Sequence, residues 1–430
     1  MKSFLIISLL CLFSIADAQT ILTVDDAVKI ALKNNYGILV ARNDAAISKT
    51  NNTMGNAGML PNVSVFGNGT YEVNTVNQSY STGSESNYSG LSTKLYNAGT
   101  ELSWTIFNGG KMFITKNKLT EMEALGEMQF KDKVLQTQYD VIAAYYEVVR
   151  QKQQLISINE IINYNNELVK ILQVSYDNGS LLKTNLLQAK IDLNVYMENS
   201  INQEYTIDAA KKNLNQLIGA NTDNLFEVID SIPLAYSIDK AELSKKLNAS
   251  NTTILSFQKQ IDIARLNISE YNRMRYPLIN VKAGYYVSHT DNSAGSLLKS
   301  QSYGPQFGGS ISIPLFQSGN INRQVSIAKL EASSASFNLE NIKLEVNKEL
   351  QNAIATFENQ QRLLNIETTN NEFTKEMLEI SIQRLKLGQT TSLEMHQAQE
   401  NYVQSSTRLI NFKYTLKIAE TKLKQLMAIL

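Results

Sequence analysis

Residues that could do chemistry are sparse in this sequence, and their spacing leaves them without partners. The chain has 430 residues, one cysteine and two histidines. Cys11 lies inside an apolar N-terminal run. His289 and His396 are far apart, and His289 falls at the loop end of an alternating segment. A metal site or a catalytic triad needs more ligands or partners than these provide. Gly67 and Gly69 sit within an alternating strand pattern with no helix after them, so they form no phosphate-binding loop. Lys plus Arg and Asp plus Glu both number 40. That balance lacks the basic surplus a nucleic-acid partner calls for. The sequence carries no enzyme signature, no metal or cofactor motif and no catalytic residue. Its information lies in the long elements.

The N-terminus reads as an export signal. Lys2 precedes the apolar run FLIISLLCLFSI at 4–15, which is too short to cross a bilayer as a helix. Ala16-Asp17-Ala18 gives the small-x-small cleavage pattern, which predicts a signal peptide over 1–18 and a mature chain from Gln19. Cys11 follows Leu10, not a small residue, so a lipoprotein reading fails. Cys11 leaves with the signal, and the mature chain is expected to have no thiol or disulfide chemistry. No later apolar run reaches the ~18 residues of a transmembrane helix. Barrel strands stay possible, because their alternating signal is weak.

The chain then repeats itself. LSWTIFNGG at 102–110 parallels ISIPLFQSG at 311–319, with Phe107 matching Phe316 and Gly110 matching Gly319. Gly179 matches Gly388, Gln188-Ala189 matches Gln397-Ala398 and Tyr205 matches Tyr414, all at a shift of 209. Upstream, Asn35 matches Asn251 and Pro61 matches Pro277 at 216. One constant shift over so long a block indicates duplication. The predicted organisation is a first repeat over 19–218, a linker or equatorial segment over 219–238, and a second repeat over 239–430.

Each repeat contains one very long helical tract, 110–178 and 320–387, with no proline inside. Val134, Val141, Val148, Leu155, Ile162, Val169 and Tyr176 recur at a strict spacing of seven. In the second copy Leu350, Phe357, Leu364, Leu378 and Leu385 hold the phase, with Asn371 as the exception. A sustained heptad predicts left-handed coiled-coil packing. Shorter helices are predicted over 24–58, 182–218, 239–275 and 391–428. Two of them stacked end to end match one long helix in length, so each rod is expected to pair with two short partners. Gly179 and Gly388 each follow a long helix, as a left-handed C-terminal residue would.

Between the helices lie alternating segments. Val63, Val65, Tyr71 and Val73 alternate with polar residues, as do Ile279, Val281, Ala283, Tyr285 and Val287. The return strands place Leu102, Trp104 and Ile106, then Phe307, Ile311 and Ile313, on one face. Val63, Val65, Trp104, Val281, Tyr285, Ile311 and Ile313 are the expected lipid-facing set. The polar stretch 74–90 reads as an external loop. An ordinary amphipathic sheet over a core gives the same pattern. In lipid, a sheet of four strands leaves two edges of unpaired backbone groups, each costing several kcal/mol. Closure therefore requires several chains to share one barrel, and nothing in the sequence fixes their number.

In sum of these motifs the chain resembles the TolC family of outer-membrane efflux proteins. The resemblance rests on VDDAVKIALKNN near residue 24, the proline-led strands, WTIFNGG and IPLFQSG before the long helices, and the tips SYDNGSLLKTNLLQAK and QRLKLGQTTSLEMHQAQ. It implies a mainly α fold with a β-barrel portion: long antiparallel coiled-coil helices plus four strands per chain in a shared trimeric barrel. It further implies an exit duct for efflux or type I secretion in the outer membrane, extending into the periplasm. The implied partners are two more copies, outer-membrane lipid, a periplasmic adaptor protein and an inner-membrane pump. Gly179, Leu181, Leu387 and Gly388 would mark exposed adaptor-docking tips. Glu394, with Gln397 and Asn185, would ring the periplasmic entrance. Leu385 and Thr390 stand where the resemblance leads one to expect an aromatic and a basic latch residue, so the sequence leaves open whether that latch operates. A trimeric coiled-coil adhesin and an exported structural protein without a pore are the alternatives.

Overall fold

A computed structural model describes residues 21–234 and 240–430. The signal peptide and the start at Gln19 lie outside the described residues, as do residues 235–239 of the inter-repeat segment. The element order is α1 (Val24–Asn34), α2 (Tyr36–Asn51), β1 (Asn62–Ser79), β2 (Glu85–Asn108), α3 (Lys111–Asp177) and α4 (Lys183–Ile218). The same order follows again as α5 (Lys240–Ser250), α6 (Thr252–Arg273), β3 (Leu278–Asn292), β4 (Lys299–Ser312), α7 (Asn320–Lys386) and α8 (Ser392–Leu426). The duplication read from the sequence is therefore a duplication of elements. α3 and α7 each have 67 residues, about 100 Å at 1.5 Å per residue.

The helices expected over 24–58 and 239–275 are each broken once, at the matched residues Asn35 and Asn251. Asn35 leaves the helical region at ψ 121°. Its side chain accepts from the backbone N–H of Ile38 at 3.0 Å and donates to the carbonyl of Leu217 at 2.7 Å. Asn251 donates to the carbonyl of Leu426 at 3.0 Å. Each asparagine thus serves a helix end that lacks intrahelical partners, at the end of α4 in one repeat and of α8 in the other.

The chain divides into two units. One comprises residues up to Ala41, Asp132–Asn251 and Glu345–Leu430, and the other Arg42–Lys131 and Thr252–Leu344. In the first, one apolar core gathers Ala27 and Ala31 of α1, Val141 and Val148 of α3, Leu214 of α4 and Phe226 of the segment after α4. Glu227 fastens that segment, bonding Lys152 at 3.0 Å and Lys211 at 2.7 Å. Burial pushes the Glu227 carboxyl up, but the two ammonium groups outweigh it and hold it below the usual range.

A second core lies towards the α3–α4 and α7–α8 turns. It contains Ile161, Leu168 and Leu172 of α3, Leu186 of α4, Leu378 of α7 and Met395 of α8. Here the strict heptad of α3 gives way. Val141 and Val148 are fully buried, but Tyr176 at the end of the row is exposed and the buried row becomes Ile161, Leu168 and Leu172. In this core α3 faces three other helices at once, so its apolar arc is wider than a two-stranded seam. Tyr402 donates to Glu160 at 2.9 Å and Tyr196 to Glu400 at 3.0 Å. Burial pushes the Tyr402 phenol up to about 12 and raises that of Tyr196 as well, so both stay protonated donors.

Asn371, the exception in the α7 heptad, faces α8 hydroxyls. It donates to Ser406 at 3.0 Å beside buried Glu367, which accepts from Ser405 at 2.7 Å and Arg408 at 3.0 Å. Burial pushes the Glu367 carboxyl up, yet Arg408, Ser405 and Asn370 outweigh it and hold it low. A lowered carboxyl contributes stability above the unfolded value, and that contribution is lost as pH falls through the folded value. Arg408→Ala is therefore expected to destabilise the protein by about 1–3 kcal/mol at neutral pH. The deficit should shrink as the pH falls below the usual carboxylate range and the folded carboxyl takes up its proton. Thermal melts of wild type and variant across pH measure this, and a deficit equal at both ends contradicts it.

The second unit holds the sheet, in the order β1-β2-β3-β4 and antiparallel throughout. The stretch 74–90, expected to be a loop, is mostly strand. β1 runs to Ser79, β2 starts at Glu85, and Gln78 still pairs with Ser86. Backbone pairing, indifferent to side-chain polarity, extends this hairpin.

Candidate functional site

Register decides which strand residues share a face, since directly opposed residues lie on the same side. Val63 opposes Leu102, Leu102 opposes Ala283, and Ala283 opposes Phe307. Val65, Thr100, Tyr285 and Pro305 form the next row, and Trp104 opposes Val281. Ile279 opposes Ile311. All the expected lipid-facing residues within the strands thus share one apolar face; Ile313 lies one residue past β4. A bulge between Thr105 and Phe107 puts Phe107, in place of Ile106, opposite Ile279. Val65 and Phe307 are more than three-quarters exposed.

The opposite face is polar. Its rows read Asn62, Ser103, Lys282, Gly308, then Ser64, Glu101, Gly284, Gln306, then Phe66, Gly99, Tyr286, Gly304. Lys282 donates to Glu101 at 3.1 Å, and the Tyr286 hydroxyl donates to its other oxygen at 2.9 Å. Lys282 was legible as a polar-face residue, whereas Glu101, Phe66 and Tyr286 were not singled out. The signal that finds them is the pairing register.

The turns that follow α3 and α7 are built alike. Gly179 (φ 74°) and Gly388 (φ 69°) take the left-handed conformation. Ser180 N–H donates to Ser175 and Gly179 N–H to Tyr176; Gln389 donates to Arg384 and Gly388 to Leu385. This paired closure satisfies carbonyls left over at the helix end. Leu387 is exposed, as expected. Leu181 is not: it packs half-buried against the core of the turns. The exposed leucine there is its neighbour Leu182.

Asn185 and Glu394 both occupy the third position of a helix, α4 and α8 respectively. Glu394 is exposed; its backbone N–H donates to the cap residue Thr391 at 3.2 Å, and its carboxylate accepts from the Thr390 hydroxyl. Gln397 is exposed and donates to Asn401 at 3.2 Å. Asn185 is half-buried and lines a cavity of about 270 Å³ with Leu168, Leu172, Asp192 and His396. His396 Nδ1 lies 3.7 Å from Asp192, a pair the sequence did not reveal because its members belong to different repeats. Among the described residues, no three His, Cys, Asp or Glu side chains gather closely enough to hold a metal ion. No described helix is long and apolar enough to cross a membrane.

Each repeat thus joins strands of a two-faced antiparallel sheet, in sequence, to a helix of 67 residues that ends in a glycine turn. The chain belongs to the outer membrane efflux protein family, whose sequence profile it matches over residues 27–220 and 243–428. Comparison with curated proteins found no match. Among solved structures, the chain is similar to the CmeC outer membrane channel of Campylobacter jejuni, with a TM-score of 0.79 and 16% identity over 94% of this chain and 85% of that one. It is also similar to the outer membrane protein VceC of Vibrio cholerae, with a TM-score of 0.76 and 16% identity over 94% and 96%. The open state of the Neisseria gonorrhoeae MtrE outer membrane channel matches with a TM-score of 0.72 and 14% identity over 94% and 88%. The protein is a passive exit duct of the outer membrane, not an enzyme or an adhesin.

Proposed function

We propose that three copies of this chain close one twelve-stranded barrel, β1 of one copy pairing with β4 of the next, and that their long helices form a periplasmic tunnel. The α3–α4 and α7–α8 turns then meet an adaptor protein that links the duct to an inner-membrane pump. The observation that carries this reading is a second apolar row on α7, separate from its buried one. Leu330, Phe337 and Leu344 follow one another at seven residues, and Ile366, Phe373 and Ile380 do so again, continued by Leu387 just past the helix end; each is more than half exposed. A strict heptad facing water is a coiled-coil seam whose other half is missing. α4 offers a matching exposed surface in Leu187, Ile191, Ile201 and Tyr205. The unpaired edges of β1 and β4 and the exposed Leu315 and Phe316 beside β4 ask for the same neighbour.

In such a trimer the face bearing Val63, Val65, Trp104, Val281, Tyr285 and Ile311 meets lipid, and the Glu101 face lines the lumen. Gly179, Gly388, Leu182 and Leu387 sit at the adaptor end, with Glu394, Gln397 and Asn185 near the entrance.

Mass measurement of the detergent-purified protein is expected to give three copies, and planar bilayers should show discrete conductance steps. Phe373→Lys with Ile380→Lys should release monomers, since each charge would replace a buried seam residue. A well-folded wild-type monomer that forms no channel overturns the reading.

A further inference from the structure

On the polar face of the sheet, register places two aromatic side chains, Phe66 and Tyr286, in one row. Phe66 opposes Gly99, Gly99 opposes Tyr286, and Tyr286 opposes Gly304. Around this level the wall alternates ring, glycine, ring, glycine. Gly99 of this row and Gly284 of the next leave floor on which the rings lie. A Cβ on Gly99 would come within 3.3 Å of the Phe66 ring, and one on Gly284 within 2.9 Å of the Tyr286 ring. Both rings are therefore folded down onto the sheet, and each is half-buried. Their centroids lie 5.8 Å apart at 52°, within the range of favourable aromatic pairs.

Tyr286 is also tied at its far end. Its hydroxyl donates to Glu101 at 2.9 Å, and Glu101 is itself fixed by Lys282 at 3.1 Å. The carboxylate is shared between two neighbours, so it offers the lumen no free charge. Nothing in the packing of the sheet core demands this arrangement, because this face carries no core. A tyrosine over a glycine-floored groove has rotamers that point away from the wall, and the tie to Glu101 selects the one that lies flat.

We propose that Phe66 and Tyr286 form an aromatic collar at one level of the barrel lumen, held flat by the Glu101–Lys282 pair and the glycine floor, and that this collar sets the bore. The proposal rests on the shared-barrel reading above. With three copies, six rings and six glycines alternate around the circumference. A flat collar keeps the passage wide and offers a stacking surface to planar aromatic solutes, while the paired Glu101 and Lys282 leave this level electrically neutral.

The test uses full-length channels in planar bilayers, with conductance, neutral-polymer exclusion and reversal potential as readouts. Tyr286→Phe keeps the ring and removes the tie; its conductance should fall, with open-channel flicker, as the ring swings inward. Tyr286→Ala with Phe66→Ala removes the collar, and the polymer cut-off should shift to larger chains. Lys282→Met unpairs three carboxylates, and the reversal potential in a salt gradient should move towards cations. If Tyr286→Phe and the double alanine variant both match wild type in conductance and cut-off while Lys282→Met shifts selectivity, the face lines the lumen but the collar proposal is overturned. If Lys282→Met changes nothing either, in channels that conduct, the lumenal assignment of this face is wrong. If the wild type forms no channels, the shared barrel itself fails.

Discussion

Replacing Gly388 by tryptophan or aspartate is expected to abolish transport while leaving trimers in the membrane. The backbone there is left-handed, at φ 69°. A side chain in that conformation costs roughly 1–2 kcal/mol, and a Cβ at Gly388 would meet no atom within 4 Å. The strain is local and small beside the cores of the unit, so folding and assembly should survive. What changes is the outer surface of the turn. Leu387 beside it is 70% exposed, and a bulky or charged group next to that leucine would spoil any apolar contact made there. Gly179 has the same conformation and the same empty surroundings, and the same substitutions there should also impair transport. Efflux assays with trimer content measured in parallel decide the matter. Retained transport, or loss of the trimers, would each count against a docking role for the turns.

How far the sequence carried this reading differs from element to element. The long helices begin and end within a residue of their expected bounds, because glycine punctuation and the lack of proline are local signals. The breaks at Asn35 and Asn251 were not foreseen. An asparagine inside an apolar-periodic tract is tolerated, and its capping role depends on the carbonyls of Leu217 and Leu426, which are remote in sequence. The heptad of α3 was right in spacing, but the buried row changed once a third and fourth helix joined the core. Leu181 was expected at the surface, and its neighbour Leu182 is there instead; a single residue of phase on a turn is beyond pattern reading. The hairpin at 74–90 looked like a loop because its residues are polar and glycine-rich. Its strands are held by backbone pairing, and nothing about that is written in side-chain hydrophobicity.

The two faces of the sheet show the same division. Alternation in β1 and β3 was enough to assign Val63, Val65, Val281 and Tyr285 to one face. It could not show that Phe66, Gly99, Tyr286 and Gly304 stand in one row, since that requires the pairing register of all four strands. Likewise the Asp192–His396 pair joins α4 to α8 across the two repeats. Contacts between repeats are invisible to a comparison that aligns one repeat on the other.

Glu394→Ala is expected to lower the cation selectivity of the channel and to weaken block by divalent cations added from the periplasmic side. Glu394 is exposed in the first turn of α8, where the helix dipole favours an anion. Its carboxylate already accepts from Thr390, which holds the side chain close to the helix end. Around a threefold axis, three such carboxylates would share one narrow opening and repel each other more strongly than in open water. A bound cation would relieve that repulsion, as carboxylate rings do in other pores. Charge-assisted contacts of this kind contribute about 1.5–3 kcal/mol, so block should weaken roughly tenfold or more in the variant. Gln397 is neutral and already engaged with Asn401, so it leaves Glu394 to carry the effect nearly alone. Folding should be little affected, because Thr391 caps the backbone N–H of residue 394 and alanine keeps that donor. Thr390→Ala provides a companion measurement: it frees the carboxylate without removing it, so block should persist. Single-channel recordings of the three proteins settle the point, and unchanged selectivity and block in Glu394→Ala would place this carboxylate on the outside of the tube.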